Sequence, residues 1–509
     1  MIYCEKAGKK VTGSRRKNCI LFILLGAWIF FIYRRVHMSW LFIDDLYIWN
    51  DFSSMSFKEF VFPKLTSYFR PVYWFLVWAE LSLAGQNMGL IVFINLSVLL
   101  ITGTVLFGFL KQLSRDTSAA FFLTLMFVTS RFSYYNVSQI IGIMEASALL
   151  TVICMCRLLY GFIHDKKEWR YLLSVLLYVL CAFTHERYMV LFPMLVFSVS
   201  AAGFLSGKKG HGFTAFLNLA LSLLSFAFIQ FMRIKVTGSL IPQGTGGTEV
   251  TETFSEKQFV INCLSQVCYL FGINAGPVHL NGMPWEETPL LLRAVPVLFT
   301  AVVIRITWMF FLQAKSSGKK EKKDIYITLL LFAGFIIGMV TASSVTIRVE
   351  MRWIYSSFAV CCMILSFMHG YLYEAEPCTG GGRNVRMITL LTVTACVLMM
   401  IFDISCKSVS KDLYLNEEQH RRESFLERTY GAYGDDVLSM RIYVIGNFYQ
   451  VSAFEEQNFH RPSGMFPEPL SITHVETLDE IPVEDPDIIV LYEDPETDTY
   501  EYAAYKEAS

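Results

Sequence analysis

Long apolar runs separated by short polar segments dominate the first 403 residues of the chain. Runs such as 89–110, 213–232 and 325–345 contain no charged residue. An α-helix needs about 17–25 apolar residues to cross the hydrocarbon layer of a bilayer. The pattern therefore predicts a mostly α-helical, polytopic membrane protein with eleven spans, near 19–33, 89–110, 117–135, 139–162, 170–184, 187–205, 213–232, 290–312, 325–345, 354–373 and 386–403.

Composition excludes a soluble fold for this chain. Apolar residues make up 54% of it and charged residues only 17%, whereas a soluble domain has about 25% charged residues. So many uncharged segments leave too little polar surface to cover a soluble core.

The clusters of basic residues between the predicted spans all fall on one side if the N-terminus is cytoplasmic. Arg34 and Arg35, after the first span, are the exceptions. Inner loops of membrane proteins are rich in Lys and Arg, so we expect a multi-pass plasma-membrane protein with a cytoplasmic N-terminus. The inner loops contain Lys111 with Arg115, Lys166 with Lys167, Lys208 with Lys209, the five lysines of 315–323, and Arg383 with Arg386.

This topology divides the chain into three parts. They are a basic cytoplasmic N-terminus (1–18), a membrane domain (19–403) and an acidic extracytoplasmic C-terminal domain (404–509). The membrane domain has two long outer loops, 34–88 and 233–289. Each outer loop contains a segment that is predicted to form an interfacial helix: 73–83 in the first loop and 258–272 in the second.

The C-terminal part differs from the rest in charge. It has 22 acidic and 8 basic side chains. Short apolar runs at 441–448 and 487–492 alternate with turn-rich segments, which predicts a small α/β domain. A basic membrane body with an acidic tail argues against a nucleic-acid partner. The cysteines lie mostly inside apolar runs and lack the spacing of a metal site.

Ionisable residues gather at the predicted outer ends of the spans. Such a group costs about 2.5–3.5 kcal/mol at the centre of a spanning helix, so its position is informative. Acids and arginines from five segments fall on one face, which predicts a polar cavity where a lipid phosphate meets a polar acceptor. These residues are Asp44 and Asp45, Arg70, Glu145, His185 to Arg187, and Arg348 with Arg352.

Asp44 and Asp45 suit acid–base chemistry. One of two adjacent carboxylates can have its pKa raised by the other, as a general base for a hydroxyl nucleophile requires. The alternative is that one of them caps a helix. Arg70 precedes Pro71 and is either a cation for phosphate or a loop arginine before a helix-starting proline.

The remaining candidates also have structural alternatives. Glu145 near a helix N-terminus is favoured by the helix dipole. His185, Glu186 and Arg187 interrupt an apolar run and are equally consistent with a local ion pair. The guanidinium groups of Arg348 and Arg352 suit phosphate, although arginines between spans also contact lipid headgroups.

The pattern resembles the C-type glycosyltransferases (GT-C), which include protein O-mannosyltransferases and bacterial aminoarabinose and surface-glycan transferases. The resemblance covers roughly residues 15–370. The chain departs from the mannosyltransferase branch in having His185 where that branch would have lysine, and its tail matches none of these enzymes. The matching elements are Asp44-Asp45, Arg70-Pro71, Gly142-x-x-Glu145, and His185-Glu186 before Pro193.

The resemblance implies a hexosyltransferase that moves a sugar, with inversion, from a polyprenyl-phosphate donor to a hydroxyl acceptor on a glycan, protein or lipid. Asp44 or Asp45 would be the base, and no covalent enzyme intermediate would form. Glu145, His185 and Glu186 would line the cavity. No cofactor is predicted; a divalent metal is compatible with this chemistry, but no residue pattern supports one. The carrier phosphate would be held by an arginine among Arg70, Arg187, Arg348 and Arg352.

Two other functions fit a polytopic protein. A transporter or flippase of a lipid-linked glycan would place ionisable residues near the membrane midplane, often in two related halves, and this chain shows no repeat. A noncatalytic anchor would present the acidic tail to a partner and would require nothing of Asp44, Asp45 or Glu186.

The predicted topology is tested with a reporter fused after Ser509. An odd number of spans places this fusion outside the cell, whereas a control fusion after Lys209 reports from the cytoplasm. Paired alkaline phosphatase and green fluorescent protein reporters measure both sides. A cytoplasmic signal after Ser509 would overturn the odd number of spans.

Overall fold

The structure is a computed structural model. It describes residues 11–34, 36, 44–63, 68–85, 87–206, 212–239, 254–274, 285–286, 288–346, 349–374, 382–409, 416–446, 470–481, 487–494, 496–497 and 499–503.

Helices make up the secondary structure of the N-terminal four-fifths of the described chain. Two short 3-10 helices, Arg131–Ser133 and Glu186–Leu191, interrupt the series. The α-helices in chain order are α1 (Val11–Tyr33), α2 (Asp44–Ser54), α3 (Phe57–Val61), α4 (Pro71–Ala84), α5 (Met88–Ser114), α6 (Thr117–Thr129), α7 (Tyr135–Ser138), α8 (Gly142–Asp165), α9 (Glu168–Thr184), α10 (Phe192–Ser206), α11 (Gly212–Thr237), α12 (Glu256–Leu270), α13 (Leu290–Ser316), α14 (Lys319–Ser344), α15 (Met351–Glu374) and α16 (Gly382–Val409).

Eight of the described helices are long and apolar enough to cross a membrane. They are Met88–Ser114, Gly142–Asp165, Glu186–Leu205, Gly212–Thr237, Leu290–Ser316, Lys319–Ser344, Met351–Glu374 and Val385–Cys406. Each coincides with a predicted span. The predicted span 19–33 falls on the apolar part of α1, Cys19–Tyr33, and the predicted spans 117–135 and 170–184 fall on α6 and α9, which have 13 and 17 residues. The prediction of a mostly α-helical, polytopic chain is confirmed, and the count of eleven stays a prediction.

Local sequence sets several helix boundaries. The Asn87 side chain accepts a hydrogen bond from the Leu90 amide at 3.0 Å and caps α5. Asp116 caps α6 by accepting from the Ser118 amide at 2.8 Å. Pro71 occupies the first turn of α4, where a missing N–H has no consequence because that group has no helical partner.

The helices differ in how deeply they are buried. Within the apolar 18-residue stretch of each helix, 78% is buried in α15, against 17% in α11 and 22% in α13. Helix α15 therefore lies at the centre of the bundle, while α11 and α13 lie at its edge. Their exposed faces carry large apolar side chains such as Phe213, Leu224 and Leu291, and apolar surface of this extent is typical of contact with lipid.

Helix α15 approaches the end of α5 very closely. A Cβ on Gly370 would lie 2.0 Å from the carbonyl oxygen of Leu113. One turn earlier, the Ser366 hydroxyl donates to the Leu110 carbonyl at 2.7 Å. Small residues allow membrane helices to pack backbone against backbone, and Gly370 does so here.

A fully buried ion pair ties distant parts of the bundle together. Arg131 Nη1 donates to Asp403 Oδ1 at 2.6 Å, and neither side chain is accessible to solvent. Arg131 Nη2 also donates to the Tyr269 carbonyl at 2.9 Å and to Asn274 Oδ1 at 3.1 Å. This pair joins the 3-10 helix after α6 to α16 and to the end of α12. Sequence analysis did not predict it.

The C-terminal part contains a small sheet with the strand order β2-β1-β3-β4. The first three strands are parallel and β4 is antiparallel to β3. A helix, α17 (Asn416–Arg428), packs on the sheet through Phe425 against Tyr500. The predicted apolar runs at 441–448 and 487–492 correspond to β1 and β3, which agrees with a small α/β unit. The strands are β1 (Arg441–Ile445), β2 (Ser471–Val475), β3 (Ile488–Asp494) and β4 (Thr499–Tyr502).

We expect Gly370→Ala to lower the melting temperature of the purified protein. The new methyl group meets a backbone carbonyl that can move only if α15 and α5 separate, and overpacking of this kind costs about 1–3 kcal/mol. Gly334→Ala on α14 is the matched control, because its Cβ meets only the flexible Met194 thioether. Equal melting temperatures for the two variants would contradict the close helix contact.

Candidate functional site

The segment that leads into α8 is fixed by a glycine and a buried amide. A Cβ on Gly142 would lie 2.6 Å from the Tyr135 carbonyl oxygen, so a larger residue would displace the backbone. Asn95, buried on α5, donates to the Gln139 carbonyl at 3.0 Å. Together they hold the backbone of 139–142 in one position before Glu145.

Asp45 binds this same segment through its carboxylate. Its two oxygens accept hydrogen bonds from the Ile140 and Ile141 amides, both at 3.1 Å. Asp45 is buried and lies inside α2, so it caps backbone of a different segment rather than its own helix. The side chain of Asp44, the other predicted base, lies outside the described part of the structure.

Arg70 and Glu186 form a two-pronged ion pair. Arg70 Nε donates to Glu186 Oε2 at 2.6 Å, and Arg70 Nη2 donates to Oε1 at 2.5 Å. Parallel N–H···O bonds are the strongest geometry for guanidinium and carboxylate. The Tyr68 ring lies 4.2 Å from the guanidinium carbon. The pair joins the residue before α4 to the 3-10 helix between α9 and α10.

Arg187 and Glu145 form a second pair beside the first. Arg187 Nη2 donates to Glu145 Oε2 at 2.7 Å. The Tyr188 hydroxyl donates to the same oxygen at 3.1 Å and is 2.9 Å from the Ser356 hydroxyl. The ring of Trp353 on α15 lies 5.2 Å from the Arg187 guanidinium carbon. Helices α8 and α15 and the 3-10 helix Glu186–Leu191 thus meet at this pair.

His185 lies between the two pairs. Its Nδ1 accepts a hydrogen bond from the Arg187 amide at 3.2 Å, and its Nε2 is 3.8 Å from Glu145 Oε1. Burial, together with the nearby Arg70, Arg187 and Arg352, holds the pKa of His185 well below its ordinary value. The imidazole is therefore neutral, with its proton on Nε2, because Nδ1 is an acceptor.

Arg352 completes the cluster on α15. It pairs with Glu350 and lies over the Tyr135 ring, with the guanidinium carbon 4.1 Å from the ring centre. Arg348, which was predicted to act with it, lies outside the described residues.

The structure thus brings together residues that are widely spaced in sequence. Predicted site residues from α2, the start of α4, α8, the α9–α10 connection and α15 share one end of the helical bundle. We call this set the charged cluster; it consists of Asp45, Arg70, Glu145, His185, Glu186, Arg187 and Arg352.

Several polar residues at this end were not predicted. Glu80 on α4 is buried, and neither of its oxygens has a hydrogen-bond partner among the described residues; it interacts electrostatically with Asp45. Arg233 near the end of α11 interacts in the same way with Glu186. Both interrupt apolar runs in the sequence, which is the signal that could have identified them.

The chemistry of this end is that of paired acids and arginines. Within the described residues, no three His, Cys, Asp or Glu side chains come together as metal ligands would. Arg70, Arg187, Arg233 and Arg352 instead present guanidinium groups in a buried, low-dielectric setting, where their interactions with an anion are strengthened.

No protein-family model matches the chain, and no curated protein matches it.

We expect His185→Asn to make the protein less sensitive to acid. In wild type the unfolded chain binds a proton at His185 as the pH falls through about 6.5, whereas the folded protein does not, so stability falls by about 1.4 kcal/mol per pH unit. Asparagine keeps an acceptor for the Arg187 amide but does not titrate. Melting temperatures measured from pH 7.5 to 5 test this.

The control is His420→Asn in the exposed part of α17, which should leave the pH dependence as in wild type. If His185→Asn and wild type lose stability in parallel on acidification, His185 is protonated in the folded protein and its assignment as a neutral donor is wrong.

Proposed function

We propose that this chain is a membrane glycosyltransferase that moves a sugar from a polyprenyl-phosphate donor to a hydroxyl acceptor on the extracytoplasmic face. One observation carries the proposal. Four segments far apart in sequence place Asp45, the Arg70–Glu186 pair and the Arg187–Glu145 pair in one buried cluster. A bundle that needed only to anchor a tail domain would not require such a cluster.

The arginines supply the site for the carrier phosphate. Arg70 holds Glu186 through Nε and Nη2. Its Nη1, which contacts the Met144 thioether at 3.5 Å, is a weakly satisfied donor that can turn to a phosphate oxygen. When the sugar leaves the carrier, negative charge grows on the phosphate, and donors held in place by buried pairs stabilise it without reorganising. Arg352 and Arg233 add positive charge at the same end of the bundle.

Asp45 is the proposed base. Each of its oxygens accepts one backbone amide, which holds the carboxylate in a fixed orientation for proton transfer. Asp45 takes the hydroxyl proton as the acceptor oxygen attacks the anomeric carbon. The bond between that carbon and the phosphate oxygen breaks, and its electron pair leaves with the carrier. One displacement inverts the configuration at that carbon.

The proposed partners follow from this reaction. They are the polyprenyl-phosphate sugar, a glycan, protein or lipid acceptor, and membrane lipid around the bundle. The apolar faces of α11 and α13 are exposed, as helices in contact with acyl or isoprenoid chains would be.

We expect Asp45→Asn to reduce sugar transfer by about 100-fold or more, the range of general base catalysis. The purified protein in vesicles is supplied with radiolabelled polyprenyl-phosphate hexose and a membrane extract as acceptor, and the transferred label is counted. Asp51→Asn, on the same helix α2 but outside the charged cluster, should retain full transfer.

Two results would contradict the proposal. Full transfer by Asp45→Asn would remove the assigned base. If the wild type instead moved labelled lipid between leaflets without releasing the carrier phosphate, the chain would be a flippase.

A further inference from the structure

Three buried polar atoms at the Arg187–Glu145 pair have no hydrogen-bond partner among the described residues. They are Arg187 Nη1, Glu145 Oε1 and Trp353 Nε1. The side chains of Arg187 and Glu145 are 7% and 1% exposed, and Trp353 is 7% exposed. Buried polar groups are nearly always hydrogen-bonded, and each one left unsatisfied costs about 1–3 kcal/mol. Three at one place indicate a site that a ligand completes.

The geometry defines what the ligand must offer. Arg187 Nη2 and Glu145 Oε2 are 2.7 Å apart, so the unpartnered Nη1 and Oε1 are the remaining donor and acceptor of the same ion pair. The Trp353 ring lies 5.2 Å from the Arg187 guanidinium carbon. The His185 Nε2, which carries a proton, lies 3.8 Å from Glu145 Oε1.

Charged ligands satisfy only half of this arrangement. A phosphate only accepts hydrogen bonds, so it would bind Arg187 and be repelled by Glu145. An ammonium group only donates, so it would bind Glu145 and be repelled by Arg187. A hydroxyl group donates one hydrogen bond and accepts two, and it can therefore serve the carboxylate and the N–H donors together.

We infer that Arg187, Glu145 and Trp353 form a subsite for a hydroxyl group of a neutral sugar. This inference rests on the proposed function and assigns the transferred sugar to this pair. In this assignment Arg70 and its neighbours bind the carrier phosphate. Arg187, one of four arginines expected from the sequence to hold phosphate, instead selects the sugar.

The test measures binding to the full-length protein in nanodiscs with three lipid probes. These are undecaprenyl-phosphate mannose, an undecaprenyl-phosphate amino sugar and undecaprenyl phosphate alone. Trp353→Phe keeps the ring but removes the N–H. We expect it to bind the mannosyl lipid about 5- to 10-fold more weakly, the effect of one hydrogen bond, and to bind undecaprenyl phosphate as wild type does.

Trp308→Phe is the matched control, because Trp308 lies exposed on α13 and should change neither affinity. Glu145→Gln is a second variant, in which an amide N–H stands where the ligand needs an acceptor. We expect it to reduce the preference for the mannosyl lipid over undecaprenyl phosphate by more than 10-fold. Wild type should also prefer the mannosyl lipid to the amino-sugar lipid.

Unchanged preference for the mannosyl lipid in Trp353→Phe and Glu145→Gln would overturn the subsite, as would tighter binding of the amino-sugar lipid by wild type. If no lipid probe binds wild type, the proposed function fails, and the subsite is tested separately with methyl α-mannopyranoside. Binding of this glycoside that Trp353→Phe weakens would support the subsite. If the glycoside does not bind, only water satisfies the three polar atoms, and the sugar subsite is overturned.

Discussion

A charged side chain removed from water must find an opposite charge, and this requirement organises the membrane body. An unpaired ion in a low-dielectric interior is strongly disfavoured, and breaking a buried pair by removing one partner costs about 3–5 kcal/mol. Arg131 and Asp403 are 272 residues apart in sequence and meet with no solvent access. Arg70 and Glu186, 116 residues apart, also form a pair, with both side chains largely but not fully buried. Apolar packing allows many arrangements of the helices, whereas these pairs allow few.

The same requirement explains why the charged cluster suits chemistry. Arg70 pairs with Glu186, Arg187 with Glu145 and Arg352 with Glu350, so each guanidinium group is held in place before any ligand arrives. Donors held in this way stabilise developing charge without moving. Pairing is incomplete at the Arg187–Glu145 pair, where one donor and one acceptor find no partner in the part of the chain that the structure describes. A rigid site orients its ligand, and hydrogen-bonding groups that still need a partner select a ligand able to supply one.

The sequence predicted the helices well because hydropathy is a local property. Eight predicted spans coincide with helices long enough to cross a membrane, and those predicted acids and arginines whose side chains are described proved to be neighbours. The sequence did not predict which groups each charged side chain contacts. Asp45 was expected either to act as a base or to cap a helix. Neither expectation included its contact with the backbone of 140–141, which depends on how α2 meets the segment before α8. Glu80 and Arg131 were passed over because a single charge near an apolar run does not reveal what it faces.

Helix α12 shows how the surroundings of the bundle bear on the cluster. Its polar side chains face inward: Asn262 donates to the carbonyls of Ser344 and Thr346, and Gln266 donates to the Ser344 hydroxyl. Its apolar side chains, including Leu264, are exposed, which is the reverse of a helix on a soluble protein and is typical of a helix lying in a membrane interface. The carbonyls that it binds end α14, directly before the connection to Arg352 on α15. Helix α12 therefore also helps to hold one wall of the charged cluster.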